Sequence, residues 1–188
     1  MFGKMKIKIA AISVAAALFA FMVQPTAAYY QTVGKATNVV TSGNIQLIIH
    51  EMTDQGTAFP SEGVYIKPGD VVSKEVSIEN ICAHPFYLRV RMIYGTNAQD
   101  LTPEECLKLN INSEYWELHD GWYYYKDVVK PGETTAKVFS QVEIVASKMD
   151  SSHVGKALSL TVNAQAVQSE NNPITDGNTY TASGWPKE

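Results

Sequence analysis

Four histidines are the side chains in this 188-residue chain that are best suited to metal binding or proton transfer. They are His50, His84, His119 and His153. His50 opens the stretch His-Glu-Met-Thr-Asp, which begins like the His-Glu-x-x-His helix of zinc proteases. That helix needs two imidazoles on one face, but the residue four positions on is Asp54, and the preceding alternating apolar run predicts a strand. The spacing therefore does not predict a zinc site.

No other pattern in the sequence predicts catalysis. The sequence contains neither a Gly-rich phosphate loop nor a Gly-x-Ser-x-Gly nucleophile elbow. The acidic turn residues Asp70 and Glu133 could face a calcium ion, but they do not have the spacing of an EF-hand loop. We therefore expect a protein that is not an enzyme, with no catalytic residue, no metal and no cofactor.

Four consecutive aromatic residues, Trp122–Tyr125, could instead form a binding surface. In a strand, alternation sends the first and third rings to one face and the second and fourth to the other. Aromatic side chains are favoured in strands and fill both faces of a sandwich, so we interpret the cluster mainly as architecture. A surface that stacks sugars and a contact surface for another protein are the two alternatives.

The first 28 residues predict a secretory signal peptide. Three lysines and no acid precede an apolar run over residues 9–23, which is shorter than the roughly 20 residues that span a bilayer. Gln-Pro ends this run, and Thr-Ala-Ala then supplies the small residues of a cleavage site. We predict cleavage between Ala28 and Tyr29, with an uncleaved N-terminal anchor as the alternative.

Cleavage would leave an acidic, exported chain. The formal charge of −4 becomes −7, because the leader contains three lysines and leaves 12 basic residues against 19 acidic ones. This balance offers no electrostatic basis for nucleic-acid binding. No later apolar stretch has the length of a membrane span, so we expect a secreted or cell-surface protein without a stable span after cleavage.

Cys82 and Cys106 are the only two cysteines, and both lie in the predicted exported part. An oxidising compartment permits a bridge between them, which would stabilise the fold by roughly 3 kcal/mol. We predict a Cys82–Cys106 disulfide. The alternative is two unpaired thiols, one in a strand and one on a helix.

Alternating apolar and polar residues predict an all-β, antiparallel, jelly-roll-like β-sandwich over residues 29–168. The predicted strands span residues 31–40, 44–51, 71–79, 86–94, 116–119, 123–129, 137–145 and 158–166. A Thr-Pro-Glu-Glu capping box at residues 102–105 predicts one short inserted helix that continues through Leu109. Residues 169–188 are polar and rich in Asn, Thr, Gly and Ser, so we expect a mostly disordered tail.

Several weak motifs follow one another in a specific order along the chain. Ala-Tyr-Tyr at residues 28–30 is followed by Ala-Thr-Asn, a glycine and Ile-Gln-Leu. A Lys-Pro-Gly-Asp turn, a Glu-Asn step and a Tyr-x-Arg-Val strand come next. The Trp-Tyr-Tyr-Tyr-Lys segment, a Lys-Pro-Gly-Glu-Thr turn and an Ala-Gln-Ala-Val-Gln strand complete the pattern. This order resembles the TasA/camelysin family of Gram-positive exported proteins, and the resemblance spans roughly residues 15–170.

The resemblance implies an exported structural protein of a biofilm matrix or cell surface. Family members are processed by a dedicated signal peptidase, and TasA-like proteins form fibres in which the N-terminal segment of one subunit adds as a strand to the next. In this chain the implied donor strand is residues 29–40, with Tyr29, Tyr30, Val33 and Val39 as anchors. The implied partners are copies of itself in a head-to-tail filament, or related matrix proteins. The alternative for this segment is an ordinary first strand on its own sandwich.

Two further functions stay open. The family name camelysin implies a secreted or cell-surface metalloprotease, although this sequence has no recognisable zinc motif. A surface binding module that uses Trp122–Tyr125 is the other alternative. The two cysteines depart from the family pattern, which does not generally require them.

Overall fold

The computed structural model describes residues 30–34, 37–38 and 45–187. Within these residues the chain forms eleven strands, one α-helical turn and three 3-10 turns. The strands are β1 Tyr30–Gly34, β2 Thr37–Asn38, β3 Leu47–Met52, β4 Val64–Ile66, β5 Val71–Asn80, β6 Phe86–Thr96, β7 Leu107–Leu109, β8 Trp116–His119, β9 Trp122–Tyr125, β10 Phe139–Ile144 and β11 Ala157–Gln168. The helical turn α1 is Pro103–Cys106, and the 3-10 turns are Ala146–Lys148, Ser151–His153 and Thr179–Thr181.

The strands form two sheets that confirm the predicted all-β sandwich. The larger sheet has seven strands in the order β4-β1-β11-β6-β9-β8, with β2 also paired to β11. The smaller sheet has the order β3-β5-β10-β7. From β3 onward the chain changes sheet at every step except the β8–β9 hairpin, which is the jelly-roll-like connectivity that the sequence predicts.

The apolar side chains at alternate strand positions fill the space between the sheets. In β11 the side chains that face the main core are Leu158, Leu160, Val162, Ala164 and Ala166, with exposed fractions of 3% or less. Phe86, Leu88, Val90 and Met92 of β6 join the same core. These are the inward-facing residues that the sequence pattern predicts.

The predicted helix is shorter than the sequence indicates. It begins with proline at its first turn, as predicted, but it ends at Cys106, and Thr102 makes no side-chain cap hydrogen bond. Leu107–Leu109 form a strand that pairs with β10, so the prediction that the helix continues through Leu109 is wrong. Pairing with an existing sheet edge outweighs the weak helical preference of three residues.

The prediction of a mostly disordered tail is also wrong for residues 169–187. This segment packs on the outer face of the larger sheet and forms a second small core. Tyr87, Val167 and Ala182 are buried in that core, and Ile174 and Trp185 pack against it. The amino-acid composition did not indicate that this segment is ordered, because two or three apolar side chains suffice to hold a segment on a sheet face that is already formed.

Cys82 and Cys106 are both free thiols, so the predicted disulfide is wrong. Cys82 follows the end of β5, whereas Cys106 precedes β7, which lies beside β10 at the opposite end of β5. Ten strand residues separate these ends by about 30 Å. A disulfide requires Cα atoms within about 7 Å of each other.

Candidate functional site

The N-terminal strand β1 occupies a slot between β4 and β11. It pairs antiparallel with β4, where Gln31 lies opposite Tyr65. It pairs parallel with β11, where Gln31 lies opposite Ala157. The short strand β2 continues the parallel pairing with Thr37 opposite Asn163. The start of the predicted mature chain is therefore an inner strand of the larger sheet.

The walls of this slot present an apolar inner face. Ile66 of β4 and Leu158, Leu160 and Val162 of β11 are almost completely buried. If β1 left the slot, both neighbouring strands would expose unpaired backbone groups together with part of this face. The slot therefore requires a strand, whichever chain supplies it.

The predicted cleavage and donor residues divide between the described and the masked parts of the chain. Tyr30 and Val33 belong to β1. Ala28, Tyr29 and Val39 lie outside the described residues. In the single chain β1 completes its own sheet, which is the arrangement named above as the alternative to donation.

The aromatic strand β9 divides its four rings between two environments. Tyr123 and Tyr125 pack against the main core. Trp122 and Tyr124 lie on the other face of the strand and are only 2% and 4% exposed. A platform for stacking sugars needs open ring faces. The covered rings therefore favour the architectural interpretation of Trp122–Tyr125.

Arg89 lies over these outer rings and connects them to the C-terminal segment. Its guanidinium carbon lies 4.2 Å from the centre of the Trp122 ring and 4.9 Å from that of Trp185. Nη1 donates a hydrogen bond to the Tyr124 hydroxyl at 3.0 Å, and Nε and Nη2 donate to Gln165 Oε1 at 2.9 and 2.6 Å. A buried guanidinium stacked between two indoles gains cation–π attraction and keeps its donors satisfied.

The C-terminal segment adds further contacts to the same face. Pro186 accepts a hydrogen bond through its backbone carbonyl from Arg89 Nη2 at 3.2 Å. Tyr180 stacks on His119 with ring centres 4.3 Å apart. Thr179 Oγ1 donates to the Tyr125 backbone carbonyl at 2.7 Å. These bonds explain why a polar, glycine-containing segment is ordered.

The four histidines are not brought together. Each lies beside its own carboxylate partner: His50 beside Glu79, His84 beside Glu170, His119 beside Asp120, and His153 beside Asp100 and Asp150. Within the described ranges, no group of three or more His, Cys, Asp or Glu side chains is placed to hold a metal ion. Asp70 and Glu133 have a role in their turns that does not involve calcium. Each carboxylate accepts a hydrogen bond from the backbone N–H of the residue three positions before it.

Sequence reasoning missed a buried ion pair between the sheets. Lys74 is 3% exposed, and its Nζ lies 3.0 Å from Glu51 Oε1 and 4.6 Å from the centre of the Phe59 ring. The signal was present, because alternation in β5 places Lys74 on the same face as the buried Val76 and Ile78. A charge on the core face of a strand predicts a buried partner.

Two titratable groups near α1 are perturbed by their surroundings. Burial raises the pKa of the Cys106 thiol, and the nearby Glu105 carboxylate adds to this effect. Burial also raises the pKa of Tyr94 to about 12, with smaller contributions from Tyr123 and Glu104. Both shifts keep the group neutral, which is the reverse of what an activated nucleophile requires.

The fold defines the class of protein as an all-β sandwich. Comparisons of the chain with protein-family models, with curated proteins and with solved structures found no match. Among the residues that the structure describes, no helix has the length and apolar character to cross a membrane. Since a sandwich fold supports many functions, a function has to be argued from the slot and its strand.

Proposed function

We propose that this chain is an exported structural protein whose copies assemble into filaments by donating the N-terminal strand to a neighbour. The observation that supports the proposal is the position of β1, an inner strand of the larger sheet that stands at the predicted start of the mature chain. Because β1 and β2 precede every other described element, they can leave the slot together without any other strand passing through the sheet, and β4 then loses its only pairing partner among the described strands. Such a protein would be secreted to an extracellular matrix or cell surface, after cleavage by a dedicated signal peptidase.

Exchange of β1 conserves the interactions that the slot provides. The strand forms one antiparallel and one parallel ladder within its own chain. The same strand from a second copy could form the same ladders in the same register, so bonding in the slot does not change. The balance between monomer and polymer then depends on protein concentration, on the tether and on any new contact between the two bodies.

The filled slot sets the kinetics of assembly. Because β1 occupies its own slot in the single chain, polymerisation begins only after β1 has left it. We therefore expect a lag phase that shortens when preformed filaments are added. A closed ring or dimer would form where exchange is reciprocal, and an open filament where each copy donates to one neighbour and accepts from another.

The test compares three forms of the mature protein by negative-stain electron microscopy and sedimentation. The first is residues 29–188, the second starts at Val39, and the third carries Gln31→Cys and Ala157→Cys in a Cys82→Ser background. Gln31 and Ala157 are register partners, so a bridge between them, formed in dilute monomer, would lock β1 in its own slot.

Filaments from the first form, none from the second, and none from the third until a reductant is added would support strand donation. Filaments from the locked or truncated form would refute it. Monomers from all three forms would refute filament formation itself. Addition of a synthetic peptide of residues 29–40 to the truncated form should fill its empty slot and raise its thermal stability.

A further inference from the structure

A pair of exposed isoleucines lies close to the point where the N-terminal segment joins the sandwich. Ile48 of β3 is 38% exposed, and Ile81, just after β5, is 45% exposed. The backbone N–H of Ile81 donates to the Gln46 carbonyl at 3.2 Å, which extends the β3–β5 ladder by one step. We name Ile48 and Ile81 the hinge patch.

Strand alternation places the two side chains together on the outer face of the smaller sheet. Ile48 lies opposite Glu79, and Glu79 and Ile81 are two residues apart on the same strand path. Diagonal neighbours of this kind are about 7–8 Å apart at their backbones, so the two side chains can be covered by one surface. His50 Nε2 lies 2.8 Å from Glu79 Oε2, and this polar pair borders the patch on one side.

The tether restricts where a neighbouring subunit can lie. In the register of this structure, Asn38 is held opposite Ala164 of the strand that accepts it. Six residues separate Asn38 from Ile45, where the body of the donor begins, and they can span at most about 25 Å. Ile48 follows Ile45 by only three residues. The accepting strand therefore lies within about 35 Å of Ile48, which brings the accepting copy to the side of the donor that contains the hinge patch.

We propose that the hinge patch is a contact surface for a second copy of this chain, namely the copy that accepts the β1 segment. This proposal rests on the strand donation described above and adds to it the contact between the two bodies. Donation of β1 leaves the bonding in the slot unchanged, so a contact that exists only in the polymer adds to the effects of concentration and tether and favours the polymer. Burial of two isoleucines against the accepting copy supplies such a contact.

The experiment measures assembly by the mature protein with Ile48→Thr and Ile81→Thr together. Threonine keeps the β-branched shape and strand preference, but it makes the surface polar. Ile93→Thr is the matched control, because Ile93 is 47% exposed on the larger sheet, away from the hinge. Urea unfolding of each monomer checks that the substitutions leave the fold intact.

We expect the double variant to raise the monomer concentration that remains at equilibrium with polymer at least ten-fold, which corresponds to about 1.4 kcal/mol. The control should leave this concentration within two-fold of the wild-type value. Equal assembly by the double variant and the wild type would overturn the hinge patch and leave strand donation standing. Absence of assembly by the wild type would overturn strand donation, and the hinge patch with it.

Discussion

Replacement of Trp122 by alanine distinguishes an architectural role of the aromatic strand from a ligand-binding role. The Trp122 ring is 2% exposed, and the guanidinium carbons of Arg89 and Arg91 lie 4.2 and 4.5 Å from its centre. Removal of a buried tryptophan side chain costs about 3–5 kcal/mol, of which each cation–π contact accounts for about 0.5–2 kcal/mol. Arg89, which lies over the Trp122 ring, and Trp185, which packs on Arg89, can move inward and reduce the cavity. We therefore expect a loss of about 3 kcal/mol, at the lower end of this range.

The assay is urea unfolding followed by far-UV circular dichroism, with the free energy of unfolding extrapolated to zero denaturant. Leu118→Ala is the control, because Leu118 is 58% exposed on the adjacent strand β8, and it should change the free energy by less than about 0.5 kcal/mol. A loss below about 1 kcal/mol for Trp122→Ala, together with loss of binding to a soluble glycan, would refute the architectural interpretation.

A double-mutant cycle measures how the C-terminal segment contributes. Trp185→Ala removes the second ring stacked on Arg89, at 4.9 Å. If the two indoles act through one guanidinium, the combined effect of Trp122→Ala and Trp185→Ala will differ from the sum of the single effects by about 0.5–1 kcal/mol or more. Strict additivity would show that the C-terminal segment does not share the environment of Trp122.

Three further predictions concern groups that the sandwich buries. Lys74→Met alone should lower the free energy of unfolding by about 3–5 kcal/mol, because the Glu51 carboxylate loses its buried partner, whereas Glu51→Leu with Lys74→Met should be nearly neutral in the same urea assay. The Tyr94 phenol ionises near pH 10 in the unfolded chain and at about pH 12 in the fold, so the free energy of unfolding should fall between these pH values. The fall should be about 2 kcal/mol, which is less than the roughly 2.7 kcal/mol of a full two-unit shift, because water still reaches part of the side chain and screens it. Tyr94→Phe should show a shallower fall over the same interval, and an identical pH profile would contradict the assignment. Thiol titration should find Cys82 reactive in the native protein and Cys106 reactive only after unfolding, and a count of zero thiols in the unfolded chain would reveal a bridge.

The main elements of the sandwich could be predicted because alternation is a local signal. Leu158, Leu160 and Val162 alternate with polar residues, and they are buried in the structure as predicted. Positions 72–78 of β5 follow the same rule and include Lys74, so the rule also identifies a buried charge when it is applied without regard to residue type. The predicted end of the helix was wrong because Leu107–Leu109 gain a partner strand that only the assembled sheet supplies.

The C-terminal segment shows where composition is a poor guide. Asn, Thr, Gly and Ser are typical of disordered chains, yet Thr179 and Pro186 form hydrogen bonds to the body of the protein and Trp185 stacks on Arg89. None of these partners is near in sequence. A few anchors to a preformed surface can offset the ordering entropy of a short segment.

The sequence by itself determined the class of fold, since the period of its apolar residues matches strands and its turn residues separate them. It could not determine which ends of the strands meet. Cys82 and Cys106 are 24 positions apart in the chain, but they lie at opposite ends of β5, because β7 joins the sheet beside β10. Only the tertiary structure decided that β1 fills a slot between β4 and β11, because a parallel ladder joins segments more than 100 residues apart, and its register depends on packing rather than on local preference.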